Sequence, residues 1–507
     1  ANAALYYTRS FNKHNLNLSV AWEASSGSSD ATNVHYRGFP SGQFHSSNYA
    51  AEIYEKPSRT EGTSRMVSAW ATGNYTWNDI YLADFSVRFD GSSDFGSKQR
   101  WAPFFSGGLG VNIHNYEFLK GNEMVNKLKV RASYGRTGKA SFPAYAATTM
   151  YEALFDEWYA TGFGVVLKAL GNNNLTWEKT DKFNVGIEMQ FLNRRLTVDA
   201  DYYHDKTIDL VNDVSLSQTS GFSSYKDNMG EVLNQGFELQ VRGEVFRNRD
   251  WLVALWGNMA HNKNKILKIS DSQRAYNQRV KEFYENIVNE EYGRYNSKYG
   301  VPISQYEEGQ SLTSIWAVKS LGIDPTTGKE IFLNRDGSVS DTWNATQEVA
   351  VGNTEPKFNG SIGFNAAYKQ WSLFAAFQYE WGGQEYNQTL VDRVENARIQ
   401  YQNVDLRVLT DRWKQPGDIA QFKDIKNADS ATMPTSRFVQ DKAYLRLSAL
   451  TLSYDFNREW IKKYLGMNML RLEASTRDFI NWNSIRQERG LSYPKSWTVD
   501  FSIKAQF

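Results

Sequence analysis

From Trp497 to Phe507 hydrophobic and polar residues alternate without a break. Trp497, Val499, Phe501, Ile503, Ala505 and Phe507 fall on one face, and Thr498, Asp500, Ser502, Lys504 and Gln506 on the other. That period of two is the signature of a β-strand. The same pattern recurs far from the end. Tyr81, Ala83, Phe85, Val87 and Phe89 alternate with Leu82, Asp84, Ser86, Arg88 and Asp90. Phe183, Val185, Ile187, Met189 and Phe191 alternate with Lys182, Asn184, Gly186, Glu188 and Gln190. Leu16–Trp22 and Leu196–Tyr202 repeat it. Strands of soluble sandwiches commonly end after about 5–6 residues, whereas a tilted membrane strand needs about 9–11. Charge facing lipid is costly, so Asp84, Arg88, Lys182, Glu188 and Asp500 are expected to face a wet interior.

The whole chain reads as fifteen such strands, near 2–9, 15–24, 63–75, 79–90, 103–114, 127–135, 179–191, 195–206, 230–245, 250–262, 357–369, 371–381, 442–456, 468–479 and 497–507. The strand at 442–456 changes phase between Leu447 and Leu450, which predicts a bulge or an exit from the membrane. Shorter and longer links alternate. The short ones lie at Ser10–His14, Thr76–Asn78, Leu192–Arg194, Phe246–Arg249 and Gln370; the long ones lie at 25–62, 136–178, 207–229, 263–356 and 382–441. Short periplasmic turns and long extracellular loops are what an antiparallel transmembrane β-barrel predicts. The first and last strands then both run toward the periplasm. A barrel closing on that side needs an even number of strands, so fifteen calls for an odd number more, before Ala1 or from another chain. No signal peptide opens the sequence at Ala1, so processing or fragmentation is expected to have removed what preceded it.

Composition narrows this further. No run of 18 apolar residues exists, which excludes a transmembrane helix but not a barrel. The mean hydropathy of -0.58 fits a polar lumen, and the 15% aromatic content fits interfacial anchoring. Zero Cys in 507 residues excludes disulfides and thiolate chemistry. A net charge of +1 gives no polybasic case for nucleic acid.

Catalytic and metal signatures are missing. His14, His35, His45, His114, His204 and His261 form neither HExxH nor a tight cluster. Gly73, Gly107, Gly108 and Gly110 precede no helix and read as strand glycines, not a phosphate loop. No nucleophile elbow is present. Asp324, Glu330, Asp336 and Asp341 do not complete a calcium loop and read as turn residues. No enzyme activity, cofactor or metal is therefore expected. Within the longest loop, Tyr276, Val280, Phe283, Tyr284 and Ile287 predict a helix over 271–293, and Asn387–Ile399 is a second helix candidate. Asp324–Gly328 predicts a turn before a short strand, Glu330–Leu333, and Asp336–Gly337 predicts another turn.

The aromatics divide into two groups. Trp22, Trp70, Trp77, Tyr81, Trp177, Trp251, Trp371, Trp497 and Phe507 read as interface anchors or lipid-facing residues. Phe39, Phe44, Tyr49, Tyr54, Tyr145, Tyr151, Phe155, Trp158 and Tyr159 lie in outer loops, as do Tyr284, Trp316 and Trp343. Of these, Trp158, Tyr159, Tyr284, Trp316 and Trp343 are the loop contact candidates, for packing between loops, for a partner or for cargo.

Several segments together resemble the C-terminal half of the SusC/RagA-type TonB-dependent transporters of Bacteroidetes. They are Gly322–Glu330 (GIDPTTGKE) with Asp336–Gly337, Gly352–Gly360 (GNTEPKFNG), Asp411–Asp418 (DRWKQPGD), Tyr444–Phe456 (YLRLSALTLSYDF) and Tyr493 to Phe507. The resemblance covers nearly the whole chain, least clearly in the loops. It implies the bacterial outer membrane, a 22-stranded barrel of which these are about fifteen strands, and an N-terminal plug that the lumen-facing charges would touch. It also implies a SusD-like surface lipoprotein as lid, a dimer of such pairs, energy from a TonB complex, and oligosaccharides or oligopeptides as cargo. Phe507 resembles the C-terminal aromatic that directs barrel assembly. Residues 1–507 are then one barrel portion without a plug, with loops near 25–62, 136–178, 263–356 and 382–441. The competing readings are a passive channel, which needs no plug or TonB, and an adhesion or assembly barrel. The sequence leaves glycan and peptide cargo both open.

Overall fold

The computed structural model describes all residues except 43–45, 96–98, 140–146, 173, 216–223, 229, 290–299, 397–403, 428–431, 486–497 and 507. The chain forms two compact units. One comprises Ala1–Leu109, Ser133–Lys182 and Thr207–Met229; the other comprises Gly110–Ala132, Phe183–Lys206 and Gly230–Phe507.

Fifteen strands hydrogen-bond in chain order: β1 (Asn2–Phe11), β2 (His14–Asn33), β3 (Ser58–Trp77), β4 (Tyr81–Ser92), β5 (Trp101–Asn112), β6 (Val125–Lys139), β7 (Glu178–Phe191), β8 (Leu196–Ile208), β9 (Glu231–Arg247), β10 (Trp251–Lys268), β11 (Phe358–Tyr368), β12 (Trp371–Tyr386), β13 (Val439–Asp455), β14 (Met469–Arg477) and β15 (Thr498–Gln506). They correspond one to one with the strands expected from alternation. A short further strand, Asn481–Asn483, pairs with β13 at Tyr444–Arg446. Among the described residues, β1 and β15 each have a partner on one side only along this path. No helix among the described residues is long and apolar enough to cross a membrane.

In the first unit, register fixes which side chains share a face. Trp22 lies opposite Ala69 and Val20 opposite Ala71; Ala69 lies opposite Phe89, Ala71 opposite Val87 and Gly73 opposite Phe85. A Cβ on Gly73 would collide with the Phe85 ring, so this glycine seats the phenyl. The apolar face is open: Val20 is 58% exposed and Val87 52%. In water a contiguous surface of this kind would drive association; against lipid it is the stable arrangement. Trp77 stacks on Tyr81 at 5.3 Å near the short turn, and Phe89 stacks on Trp101 at 5.4 Å toward the other end. These pairs bracket the apolar band as aromatic girdles do.

The short turns use residues that tolerate left-handed backbone. Asn12 has φ of 50°, and Asn78 and Asp79 have 55° and 57°. At the long-loop end several strands outrun their sequence prediction. The β2–β3 ladder continues to Asn33 and Ser58, because backbone pairing persists after apolar alternation has stopped. Arg59 bridges to Asp30 at 2.6 Å there. The alternation of link lengths is less strict than expected. The links at 113–124 and 456–468, on the short-turn side, are longer than 93–100 on the other. The first holds a 3-10 turn, Ile113–Asn115, and the second the helix Arg458–Leu465.

In the second unit the phase change in β13 is a bulge. Ala449 pairs with Ala376 and Leu447 with Phe377, leaving Ser448 extra, its hydroxyl on the Ala376 carbonyl at 2.9 Å. Deleting Ser448 leaves every other β13 side chain on its present face, so a heat-resistant folded barrel is expected to survive. Deleting Leu452 shifts the register by one residue and exchanges the two faces. Gel mobility with and without boiling reads both outcomes.

The compact apolar cores of the second unit lie in the long loops. The helix Asp271–Asn289 forms close to where its periodicity predicted it. Val280, Tyr284, Val318, Phe332, Trp343 and Ala345 form one buried cluster, with Met433 packed against it. Leu390, Val391, Val394, Val408, Phe422 and Phe438 form a second. Of the expected second helix, Asn387–Ile399, the described residues form a short turn at Gln388–Leu390 running into a wide helical turn, Val391–Glu395, and residues 397–399 lie outside the described residues. The strand Glu330–Leu333 and the turns at Asp324–Gly328 and Gly337 are present as expected.

Candidate functional site

Asn258, Asn262 and Asn264 occupy one face of β10 at alternate positions, opposite Gln240, Gly236 and Asn234 of β9. At the long-loop end this face carries a web of amides. The Tyr203 hydroxyl donates to Asn262 Oδ1 at 2.8 Å. Asn264 Nδ2 donates to Asn234 Oδ1 at 2.8 Å. Asn262 Nδ2 donates to Glu355, whose second oxygen accepts from the Asn264 backbone at 3.1 Å. The Asn264 Oδ1 in turn accepts from the Leu312 amide at 2.8 Å and the Ser311 hydroxyl at 3.2 Å. The long loop is therefore pinned to the strand at its middle, through Ser311 and Leu312, and at its C-terminal end, through Glu355.

Beyond this web opens a cleft of about 920 Å³, lined by Asn262, Asn264, Asn353, Glu355, Gln384, Asp441 and Lys442 among others. Gln384 joins two of its walls, accepting from the Asn353 amide and donating to Asp441, both at 3.1 Å. Trp381 lies at the rim, 68% exposed. Side-chain amides both donate and accept without charge, which suits hydroxyl-rich or peptide-like chains. Sequence reading missed this site. Its trace was present in two places: Asn258, Asn262 and Asn264 on one face of a strand whose alternation was poor, and the 352–357 segment, most of which lines the cleft.

The charged residues expected to face the interior divide into separate groups. Glu188 receives Lys127 at 2.5 Å, Lys129 at 3.4 Å and Arg131 at 3.3 Å, and Arg131 reaches on to Asp201 at 2.5 Å. Arg88 bonds Asp90 at 2.7 Å and the Ser68 hydroxyl at 2.9 Å, over the Trp70 ring at 5.0 Å. Asp84 covers Gly108. Asp500 is exposed on β15, at alternate positions with Ser502 and Lys504, and Lys504 bridges to Glu473 at 2.8 Å. Lys182 is exposed on β7. Trp70 lies opposite Arg88 in register and so belongs to this polar face, not to the lipid face expected for it. Trp177 is buried, stacked on Phe95 at 4.2 Å, and is no interface anchor.

Burial sorts the loop contact candidates. Tyr284, Trp316 and Trp343 are buried in the body of the long loops. Tyr284 donates to the Val301 carbonyl at 2.9 Å and Trp343 to that of Pro434 at 2.9 Å. They hold the loops together. Trp158 and Tyr159 lie on a hairpin, Met150–Tyr159 paired with Gly162–Ala169; their side chains, like Phe507, lie outside the described residues. Of the other loop aromatics singled out in the sequence, Phe39, Tyr49, Tyr54 and Tyr151 are exposed.

Electrostatics reinforce the loop body. Arg437 bridges Glu330 at 2.8 Å and Glu395 at 2.6 Å, all three largely buried. Burial works against the Arg437 charge, but the two carboxylates outweigh it and hold its pKa above the usual value. The motif residues meet here too: Trp413 donates to the Pro325 carbonyl at 2.9 Å, and a Cβ on Gly328 would stand 2.6 Å from its ring. Asp324 is a turn residue, held below the usual carboxylate range by the Thr327 hydroxyl and the Thr326 amide. Asp336 is likewise lowered by Ser338, and Asp341 by Lys329.

Glu348 is buried and pushed up to about 8 by burial, against the opposing effects of Gln305, Lys281 and Arg335. Its ordinary value is 4.5, so the folded loops favour the neutral acid. Its contribution is full below about pH 4.5 and is lost as pH rises through about 8. Protease resistance of the loop body is expected to fall across that window. Glu348→Gln should flatten the dependence and raise resistance at neutral pH.

A sheet with an open apolar face on one side and paired charges on the other, carrying cored loops at one end, defines the wall of an outer-membrane β-barrel. Residues 2–474 match the family described as TonB dependent receptor-like, beta-barrel, and the chain belongs to that family. Its place is the bacterial outer membrane, and the family is a class of transporters, not of enzymes. The chain is 26% identical over 486 residues to TonB-dependent receptor P3 of Formosa agariphila, covering 94% of this chain and 47% of P3. It is 31% identical over 283 residues to TonB-dependent receptor SusC of Bacteroides thetaiotaomicron, covering 53% of this chain and 27% of SusC. The structure of the RagAB peptide importer in the closed-closed state shares the fold, with a TM-score of 0.81 at 23% identity, covering 100% of this chain and 55% of that one. The chain thus spans about half the length of P3.

Proposed function

We propose that this chain forms the wall and outer loops of a TonB-dependent importer that carries oligosaccharides or oligopeptides across the outer membrane together with a SusD-like lipoprotein. The observation that carries the reading is the amide-lined cleft at the end of the sheet where the long loops converge on β10, β12 and β13. A passive channel has no need of loops with their own apolar cores. The one-sided pairing of β1 and β15 supports further strands completing the wall, since unpaired edges are not tolerated in lipid. The charged face of the sheet is the natural seat for a plug, through which a TonB complex would act. A lipoprotein lid, and a dimer of such pairs, complete the assembly.

The test follows from the shared core of the two longest loops. Replacing 269–356 and 388–437 together with tight turns removes that body while leaving the strands intact. The barrel should still insert, and both lipoprotein capture and growth on the cognate oligomer should be lost. Unchanged capture and growth contradict the proposal. Loss of growth with capture retained assigns these loops to cargo instead of to the lid.

A further inference from the structure

The link between β13 and β14 carries a helix, Arg458–Leu465, on the short-turn side of the sheet. Asn457 caps it, its Oδ1 accepting from the Glu459 amide at 2.9 Å and the Trp460 amide at 3.3 Å. Gly466 ends it with φ of 68°. Ile461 is buried, whereas Trp460 is 48% and Tyr464 63% exposed. Exposed rings of that size in a soluble link would be a liability.

These rings continue from Trp251 and Trp371, which the sequence reads as interface anchors or lipid-facing residues. Trp251 packs on Tyr368 at 4.4 Å, and Tyr368 is register partner to Trp371. Trp371 then meets Tyr454 at 4.8 Å on the face that also carries exposed Leu452. From Tyr454 the contacts pass to Phe456 at 5.0 Å, to Trp460 at 6.2 Å and to Tyr464 at 5.8 Å. From Trp371 an unbroken row of ring contacts therefore leads off the strands and along the helix. Lys462 and Lys463 are exposed beside it, and the Lys463 ammonium lies 5.2 Å from the Tyr464 ring centre. Glu459 is the one acidic residue on the helix and sits in its first turn.

We propose that this helix lies in the interfacial plane of the periplasmic leaflet. Trp460 and Tyr464 rest at the headgroup–acyl boundary, and Lys462 and Lys463 hold anionic phospholipid headgroups. The occupant is the bilayer and not a protein, because the aromatic row is continuous with the lipid face and basic side chains flank it. Trp and Tyr favour that depth, and lysines can bury their stems while presenting their charge to phosphate.

The test uses the complete transporter in nanodiscs of phosphatidylcholine with or without phosphatidylglycerol. A nitroxide on Tyr464→Cys reports depth, since these 507 residues contain no Cys. The label should collide with lipid-dissolved oxygen more than with an aqueous nickel chelate. Native mass spectrometry should show phosphatidylglycerol retained over phosphatidylcholine, with enrichment falling about fivefold for each of Lys462→Gln and Lys463→Gln. A label seen only by the aqueous reagent overturns the placement. Equal retention of the two lipids, or enrichment unchanged in the double variant, overturns the headgroup site. Phe456→Leu, which breaks the row while leaving every helix residue unchanged, serves as a second variant: oxygen accessibility at 464 should fall, and no change would contradict continuity with the lipid face.

Discussion

Replacing Arg437 with methionine is expected to unfold the body of the outer loops while the strands remain inserted. Arg437 donates to Glu330 and to Glu395, and Glu395 is fully buried. Removing the cation leaves two carboxylates facing each other out of water. Breaking a buried pair in this way costs about 3–5 kcal/mol, a large share of what stabilises a domain of modest size. The same arginine donates to the Gln421 carbonyl at 2.5 Å, so its loss also removes one tie to the 411–422 segment. Rapid tryptic cleavage within 271–437, with heat-resistant mobility of the remaining barrel unchanged, is the expected pattern. Adding Glu330→Gln and Glu395→Gln to Arg437→Met removes the stranded charges and should restore part of the resistance. Wild-type resistance in the single variant would show that the triad contributes nothing.

Placing charge on the apolar face should have the second large effect. Phe85 lies midway between Tyr81 and Phe89, whose stacks mark the two ends of the apolar band. Phe85→Arg therefore sets a guanidinium near the bilayer midplane, at a cost of about 2–4 kcal/mol. Outer-membrane levels of folded protein should collapse. Ser86→Arg, one residue away on the polar face, should assemble normally. Phe85→Leu keeps the site apolar and separates the charge from the loss of the ring over Gly73. Equal assembly of Phe85→Arg and Ser86→Arg would mean that the faces are not distinguished by lipid.

These two sites also mark what could and could not be read from the sequence. Phe85 and Ser86 were assigned to opposite faces by alternation alone, because the lipid boundary writes a period of two into every strand it touches. The same signal gave the number of strands and located the Ser448 bulge. It failed where lipid stops. β2 runs on to Asn33 through Ser25–Asp30, held by backbone pairing and exposed side chains. Trp70 was misplaced because an aromatic ring on the polar face can sit beneath Arg88. In the loops the difficulty is sequence distance. Glu330 and Arg437 are 107 residues apart, and Trp343 reaches Pro434 across 91. No local pattern announces such pairs, so the sequence leaves Tyr284, Trp316 and Trp343 open between loop packing, a partner and cargo, and only their burial selects packing. The amide web was missed for a related reason: Asn262 and Asn264 are unremarkable until Glu355 and Asn234 are brought beside them.

Nitroxide scanning of β4 in the complete protein, one Cys at a time from Asp84 to Asp90, tests the central claim most directly. The labels at Phe85, Val87 and Phe89 should collide with lipid-dissolved oxygen and be shielded from an aqueous nickel chelate. Those at Asp84, Ser86, Arg88 and Asp90 should show no lipid contact, giving a period of two in phase with the sequence. Uniform aqueous access along the strand, or alternation in the opposite phase, would contradict a membrane wall with its charges turned inward.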